Sequence, residues 1–229
     1  RLLVTQLLAF SRRQLIKPES IDLNLLIASL LKMLDRLLGE HIRIDFIQGR
    51  HLGAVYADTG MMQQVLMNLC LNARDAMPDG GVLTIETENV FINGDYCATH
   101  PWAVPGRYVL MSVTDTGCGM PPEVLEKAFE PFFTTKPEGK GTGMGLATVY
   151  GIIKQHNGLV HCYSEVGKGT TFKVYLPMSE RPAVHVESKI EGLPAGGTET
   201  ILVAEDEDMV RTVAQKVLES AGYHVITAK

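Results

Sequence analysis

Long hydrophobic runs are missing from this sequence. None approaches the ~20 consecutive apolar residues of a membrane-spanning helix, and no secretory leader opens it. Positive charge is not in excess either: the formal net charge is -5, which leaves no electrostatic footprint for non-specific nucleic-acid binding. Cysteine is scarce. Cys70, Cys97, Cys118 and Cys162 show neither paired nor metal-type spacing, which points to a reducing compartment, and so to the cytoplasm, rather than to a disulfide scaffold. Internal repeats and low-complexity tracts are absent. What is present is an ordinary globular composition, 45% hydrophobic over 229 residues. That suffices for one domain and part of a second. The chain begins within a helix-like pattern rather than at Met, so the expectation is a piece of a longer protein.

Periodicity divides the chain. Leu3, Leu7 and Phe10 fall at helical spacing, with Arg12 and Arg13 at the end and Pro18 closing the element. A helix is expected from Leu23 to Leu38, stopped by Gly39. Ile42, Ile44 and Phe46 alternate as on a half-buried strand, and Ala54 to Ala57 reads as a short second one. Met62, Val65, Leu66, Leu69, Ala73 and Ala76 share one face of a helix from about Thr59 to Met77. Pro78 to Gly81 is a turn. Val82 to Glu88 and Tyr108 to Thr114 read as strands joined by a loop. The Gly- and Pro-rich stretch from Asp115 to Gly143 holds a short helix around Glu123 to Phe129. Another helix runs to about His156, and strands near Leu159 to Ser164 and Thr170 to Leu176 finish this domain. Residues 178–199 carry prolines, glycines and mixed charges without periodicity, as a linker does. Ile201 to Ala204 then reads as a buried-type strand. Met209, Val213 and Val217 mark an amphipathic helix stopping at Gly222, and Tyr223 to Thr227 is a further strand. This is half of a doubly wound α/β unit, and the fold class expected for the whole chain is α/β.

Three segments carry chemistry through their order and spacing. In the first, N-L-C-L-N-A-R-D-A, Asn68 and Asn72 lie four apart and project from one side of a helix. An amide oxygen is a neutral, hard ligand that suits magnesium beside waters and substrate phosphates. For two isolated asparagines, solvation or capping is the more common explanation, and the following motifs reverse it. In the second, Asp115 closes an apolar strand before Thr116, Gly117, Cys118 and Gly119. A carboxylate there can accept a hydrogen bond from the exocyclic amine of adenine, and the glycines let backbone approach a base. A plain Asp-Gly turn accounts for the same residues. In the third, Gly139, Gly141, Gly143 and Gly145 alternate with Lys140, Thr142 and Met144 ahead of Leu146. Such a run points N–H groups at phosphates, and the helix N-terminus adds its field. The alternative is a flexible linker, which Val149, Ile152 and Ile153 weaken by anchoring the run to a core. Lys136 and Lys140 either add charge to a phosphate site or are merely solvated. Gly167 to Phe172 by itself signals a hairpin, Cys118 a small filler rather than a nucleophile. None of the seven histidines sits in a context that suggests phosphoryl acceptance.

Taken together, these segments resemble the catalytic ATP-binding domain of two-component sensor histidine kinases over residues 20–177. Asn68 to Ala76 is similar to that family's N box, D-T-G-C-G-M to its first glycine box, and E-P-F-F-T-T-K, Glu130 to Lys136, to its F box. Gly141 to Leu146 is similar to the second glycine box, Gly167 to Phe172 to the third. The resemblance implies a two-layer α/β sandwich of the histidine-kinase/gyrase ATPase type, with an ATP lid over roughly residues 117–143. It implies ATP and Mg2+ as cofactors. Asp115 is then the adenine reader, with Gly117 and Gly119 beside it. Asn72, supported by Asn68, holds magnesium. Lys136, Gly141, Thr142, Gly143, Met144, Gly145, Leu146 and Thr170 complete the nucleotide site.

The flanks agree with it. Leu2 to Gln14 resembles the end of the family's dimerisation hairpin, and residues 200–229 the opening of a receiver domain, with Glu205 and Asp206 as its acidic magnesium pair. The expected organisation is therefore hairpin end at 1–17, ATP-binding domain at 18–177, linker at 178–199 and a truncated doubly wound receiver fragment at 200–229. The parent would be a homodimeric hybrid kinase. It would move the γ-phosphoryl group of ATP to a His on a helix of the same or the partner protomer and on to a receiver Asp, both outside this chain. Neither nucleic acid nor membrane contact is expected of this stretch. Related ATP hydrolases carry a Glu, the general base for water, four residues before the metal Asn. Here that position is Asn68, which favours transfer to an imidazole over hydrolysis. An ATP hydrolase or clamp, or a non-catalytic nucleotide-binding scaffold, remain the rival readings.

Overall fold

The computed structural model describes residues 17–137, 141–179, 197–205 and 208–228. The features expected at Leu3, Leu7 and Phe10, at Gly139 and Lys140, and at Asp206 lie outside these residues, as do most of 178–199 and the side chains of Met209 and Val213. The chain forms two compact units, Arg1–Val184 and His185–Lys229.

In the first unit, local chemistry sets each helix. Asp22 caps α1 (Leu23–Leu38), its Oδ1 accepting from the N–H groups of Asn24 at 2.7 Å and Leu25 at 3.4 Å. Two otherwise orphaned donors are thereby satisfied. Gly39, at φ 85°, ends the helix. Asp58 caps α2 (Thr59–Ala76) in the same way, accepting from Met61 N–H at 3.0 Å. Met62, Val65, Leu66, Leu69, Cys70 and Ala73 turn its apolar stripe inward.

Strands β2 (Ile42–Ile47), β4 (Gly81–Ile92), β5 (Gly106–Asp115), β6 (Leu159–Glu165) and β7 (Gly169–Pro177) form one mixed sheet in the order β2-β4-β5-β7-β6. Only the β2–β4 pair is parallel. The pleat turns Val109, Met111 and Val113 of β5 toward the helices, where they meet Leu26, Leu66, Leu83, Val149 and Val174 in one core. Helices on one sheet face make this a two-layer sandwich. On the other face Tyr108, Leu110, Leu159 and Tyr175 are covered by Trp102 and Ala103 of the β4–β5 connection. A separate antiparallel pair joins β1 (Glu19–Ile21) to β3 (Val55–Ala57). The last helix of this unit, α5 (Gly145–Gln155), ends at His156, whose Nδ1 meets the carbonyl of Ile152 at 2.8 Å and whose Nε2 meets the N–H of Asp58 at 3.1 Å. The carbonyl can only accept and the amide only donate, so Nδ1 is the donor and Nε2 the acceptor of these two bonds.

Several expectations need correction. Strand β1 is invisible to periodicity, because three residues take their conformation from pairing with β3. Strand β4 runs to Ile92 rather than Glu88, since β5 pairs with it without a break through Ile92↔Gly106. The connection read as a loop contains a short helix, α3 (Gly94–Thr99), capped by Asn93 Oδ1 on Tyr96 N–H at 2.9 Å. The helix expected near Glu123 to Phe129 is only α4 (Pro122–Leu125). Met178 and Ser179, read as linker, belong to the first unit: Met178 bridges Val55, and Ser179 N–H donates to Ala54 O at 2.7 Å.

The second unit contains β8 (Thr200–Ala204), α6 (Asp208–Ser220) and β9 (His224–Ala228), the strands parallel in register from Thr200↔His224 to Ala204↔Ala228. This is the expected β-α-β arrangement. Strand β8 is not buried, however. Leu202 is 66% exposed, because two strands and one helix cover only one face.

Candidate functional site

Asp115 terminates β5 between two neighbours, opposite Leu83 of β4 and Thr170 of β7. Its side chain is only 4% exposed. Oδ1 accepts from the N–H groups of Gly117 at 2.9 Å and Thr170 at 3.2 Å. Oδ2 has no protein donor among the described residues. Burial pushes the carboxyl above its usual range, and the two backbone hydrogen bonds offset that only in part. Thr170 is itself buried, its hydroxyl 2.9 Å from that of Ser164. Its N–H helps to position the acid.

The segment after Asp115 is stitched on both sides. Cys118 N–H donates to Ala76 O at the end of α2 at 3.0 Å, and Gly167 N–H of the β6–β7 hairpin donates to Cys118 O at 2.8 Å. Met120 N–H donates to Ser164 Oγ at 2.7 Å. Gly119 has φ 65°, and a Cβ there would fall on the carbonyl of Glu165. A side chain is excluded on both counts.

Helices α2 and α5 meet at the other half of the site. Asn68 donates its amide to the carbonyl of Gly145 at 3.2 Å. Asn72 lies one turn on, its Nδ2 3.8 Å from where a Gly145 Cβ would sit, with no hydrogen-bond partner among the described residues. Met144 caps α5 without a side-chain hydrogen bond, and Thr142 Oγ1 accepts from Met144 N–H at 3.3 Å. The N–H groups of Gly145, Leu146 and Ala147 thus start a helix with no intrahelical acceptor, an arrangement that favours anions. Gly143, at φ 65°, accepts from Phe132 N–H at 2.9 Å and leaves no room for a Cβ against the Phe132 backbone.

Lys136, left open by the sequence between phosphate contact and plain solvation, is engaged by a side chain of α2. Its ammonium sits 2.5 Å from Asp75 Oδ2, and its stem lies 3.1 Å from where a Gly141 Cβ would stand. Asp75 Oδ1 takes Arg74 Nε at 3.1 Å and Nη2 at 2.9 Å, and Arg74 Nη1 reaches Leu37 O at 3.3 Å. Burial alone would raise the Asp75 carboxyl, but hydrogen bonds and charge from Lys136 and Arg74 outweigh it and hold the group below its usual value.

In the second unit Glu205 follows β8, its carbonyl accepting from Arg211 Nη1 at 2.5 Å. Its intended partner Asp206 is outside the described residues. Among those residues no three His, Cys, Asp or Glu side chains gather as a metal cluster, and no helix is long and apolar enough to cross a membrane.

Two site residues escaped the sequence reading. Ser164 faces Thr170 through the hairpin register, which the turn at Gly167 would have revealed. Asp75 sits in the N-L-C-L-N-A-R-D-A segment itself, three residues past Asn72, but its partner Lys136 is 61 positions away.

This geometry has known counterparts. The profile of the family described as "Histidine kinase-, DNA gyrase B-, and HSP90-like ATPase" matches residues 57–180. Sensor kinase CckA of Brucella abortus (strain 2308) is 49% identical over 97% of this chain and 24% of its own length. Sensor histidine kinase ZraS of Escherichia coli (strain K12) is 35% identical over 72% of this chain and 33% of its own. The chain therefore spans only a quarter to a third of these relatives. The catalytic domain of histidine kinase ThkA, in a nucleotide-free form, superposes with a TM-score of 0.56 at 29% identity, covering 71% of this chain and 96% of that one.

Proposed function

Because the chain belongs to the family of histidine kinase-, DNA gyrase B- and HSP90-like ATPases and is an ATP-binding catalytic domain of the sensor histidine kinase type, we propose that it binds ATP with Mg2+ and presents the γ-phosphoryl group to a histidine on a dimerisation helix of the same or a partner protomer. One observation carries this most directly. The buried Asp115 has one oxygen fixed by backbone donors and the other without a protein donor among the described residues.

Asp115 Oδ2 accepts the exocyclic amine of adenine. Guanine presents an oxygen there, and two facing acceptors repel, so the contact selects ATP. Asn72, without a hydrogen-bond partner among the described residues, is the residue to hold magnesium, and Asn68 keeps the start of α5 in place through Gly145. The ion supplies positive charge to the phosphoryl oxygens when bound. The chain's own part is positioning: N–H groups at the start of α5 hold the phosphates, and the loop threaded by Gly117 and Gly119 holds the base end. Asn68 also speaks against hydrolysis. Its amide is engaged with Gly145, and an amide cannot take a proton from water as a carboxylate would.

The same reading extends to the flanks. The parallel β8-α6-β9 unit, with Glu205 at the carboxyl end of β8, supports the start of a receiver at residues 200–229. That would make the parent a homodimeric, cytoplasmically acting hybrid kinase with the ATP-binding domain at 18–177. Two assays test the proposal. Calorimetry should show ATP binding that strengthens with Mg2+. With γ-labelled ATP, this 229-residue chain should stay unlabelled, while a longer chain including the preceding helix acquires acid-labile label. Phosphate release without label would favour the hydrolase reading, and failure to bind nucleotide would sink both.

A further inference from the structure

We propose that Asp75 is a positioning residue for Lys136, holding its ammonium in reserve until phosphate oxygens displace the carboxylate. This deepens the nucleotide reading above and rests on it.

The geometry makes the exchange short. Asp75 stands three residues past Asn72 on α2, on the same side of the helix. The Lys136 stem packs against Gly141, the first described residue of the phosphate loop, and its backbone N–H is held by Thr134 Oγ1 at 3.1 Å. The ammonium is the only part of Lys136 that must move, and it sits on a flexible four-carbon stem. Asp75 cannot follow it, because Arg74 grips the other carboxylate oxygen twice and is itself tied to Leu37 O. The pair is about one-third exposed on each side, 34% for Lys136 and 31% for Asp75. An ion pair so exposed is weak enough to be traded. A triphosphate brings more negative charge than one carboxylate, so the trade runs toward nucleotide. Without nucleotide, Asp75 competes for the cation and lowers apparent affinity.

The proposal reverses an ordinary expectation: removing a polar side chain at the rim should improve binding. Asp75→Asn keeps an oxygen for Arg74 and removes the charge that holds Lys136. Calorimetry with ATP should show affinity rising about two- to fivefold. Lys136→Met should lower it. In the double variant, Asp75→Asn should have no further effect. Adenosine, which has no phosphates, should bind all four proteins equally. An Asp75→Asn gain that persists on the Lys136→Met background would mean a general field effect of the lost charge, and would overturn the exchange. So would unchanged or weakened ATP binding by Asp75→Asn. If neither ATP nor adenosine binds the unsubstituted chain, the nucleotide reading itself fails, an outcome distinct from both.

Discussion

Asn68 donates its side-chain amide to the main-chain carbonyl of Gly145, a residue 77 positions later. That bond ties the middle of α2 to the first turn of α5, and it separates the two asparagines of the motif by role. Asn68 is engaged with the start of α5, while the Asn72 amide has no hydrogen-bond partner among the described residues.

Substitution of each asparagine should therefore fail in a different way. Asn68→Ala should cost about 0.5–1.5 kcal/mol of stability, the worth of one partly buried hydrogen bond, visible in urea unfolding without ligand. Asn72→Ala should leave unfolding nearly unchanged and remove the magnesium-dependent part of ATP binding. Equal effects of both variants on magnesium dependence would contradict this division.

Base selection should invert with one substitution. Asp115→Asn can keep an oxygen toward Gly117 and Thr170 N–H, and then turns an amide toward the base. ATP affinity should fall by roughly 1.5–3 kcal/mol, the value of a charge-assisted hydrogen bond. GTP binding should improve, because the amide now donates to the guanine oxygen. Titration of both nucleotides against both proteins reads this out, and unchanged ATP affinity would place the base elsewhere.

The raised Asp115 pKa has two opposite consequences. The ionised form accepts from adenine, so ATP affinity should fall as pH drops, beginning above the usual aspartate range. Stability of the empty protein moves the other way. Burial penalises the charged form, so that cost is present above the folded-state pKa and is relieved as pH falls through it. Affinity and unfolding series from pH 7 to 4, with Asp115→Asn as the flat control, measure both slopes.

Thiol reactivity should follow burial. Cys70 and Cys162 are enclosed, and burial pushes both thiols up to about 12, the Asp115 charge adding to the effect at Cys162. Cys118 is exposed between the two glycines that follow Asp115. Iodoacetamide at neutral pH should modify Cys118 while sparing Cys70 and Cys162, and ATP should slow the reaction. Mass spectrometry of the digested protein locates the label; ready modification of Cys162 would refute the assignment.

How legible all this was depended on whether a residue's partner is near in sequence. Helices α1 and α2 were readable because cap and apolar stripe lie within each segment: Asp22 and Gly39 bracket the first. Asp115, the glycine run and the two asparagines were readable as motifs whose order matched a known family. The exposure of β8 was not, since an apolar run looks alike whether or not a second layer covers it. Strand β1 exists only through β3, and the hold of Asp75 on Lys136 only through folding. For the same reason the sequence left Lys136 open between phosphate contact and solvation.

His156 and Gly145 stand at opposite ends of α5, and each is bonded to α2 or its cap: the first to Asp58, the second to Asn68. Helix α5 thus lies antiparallel along the first half of α2, held at both of its own ends over about 15 Å at ~1.5 Å per residue. Asp58 also receives the N–H of Lys17, just before β1. The polypeptide at residue 17 is therefore fastened to one end of this helix pair, and the unpaired N–H groups at the start of α5 stand at the other.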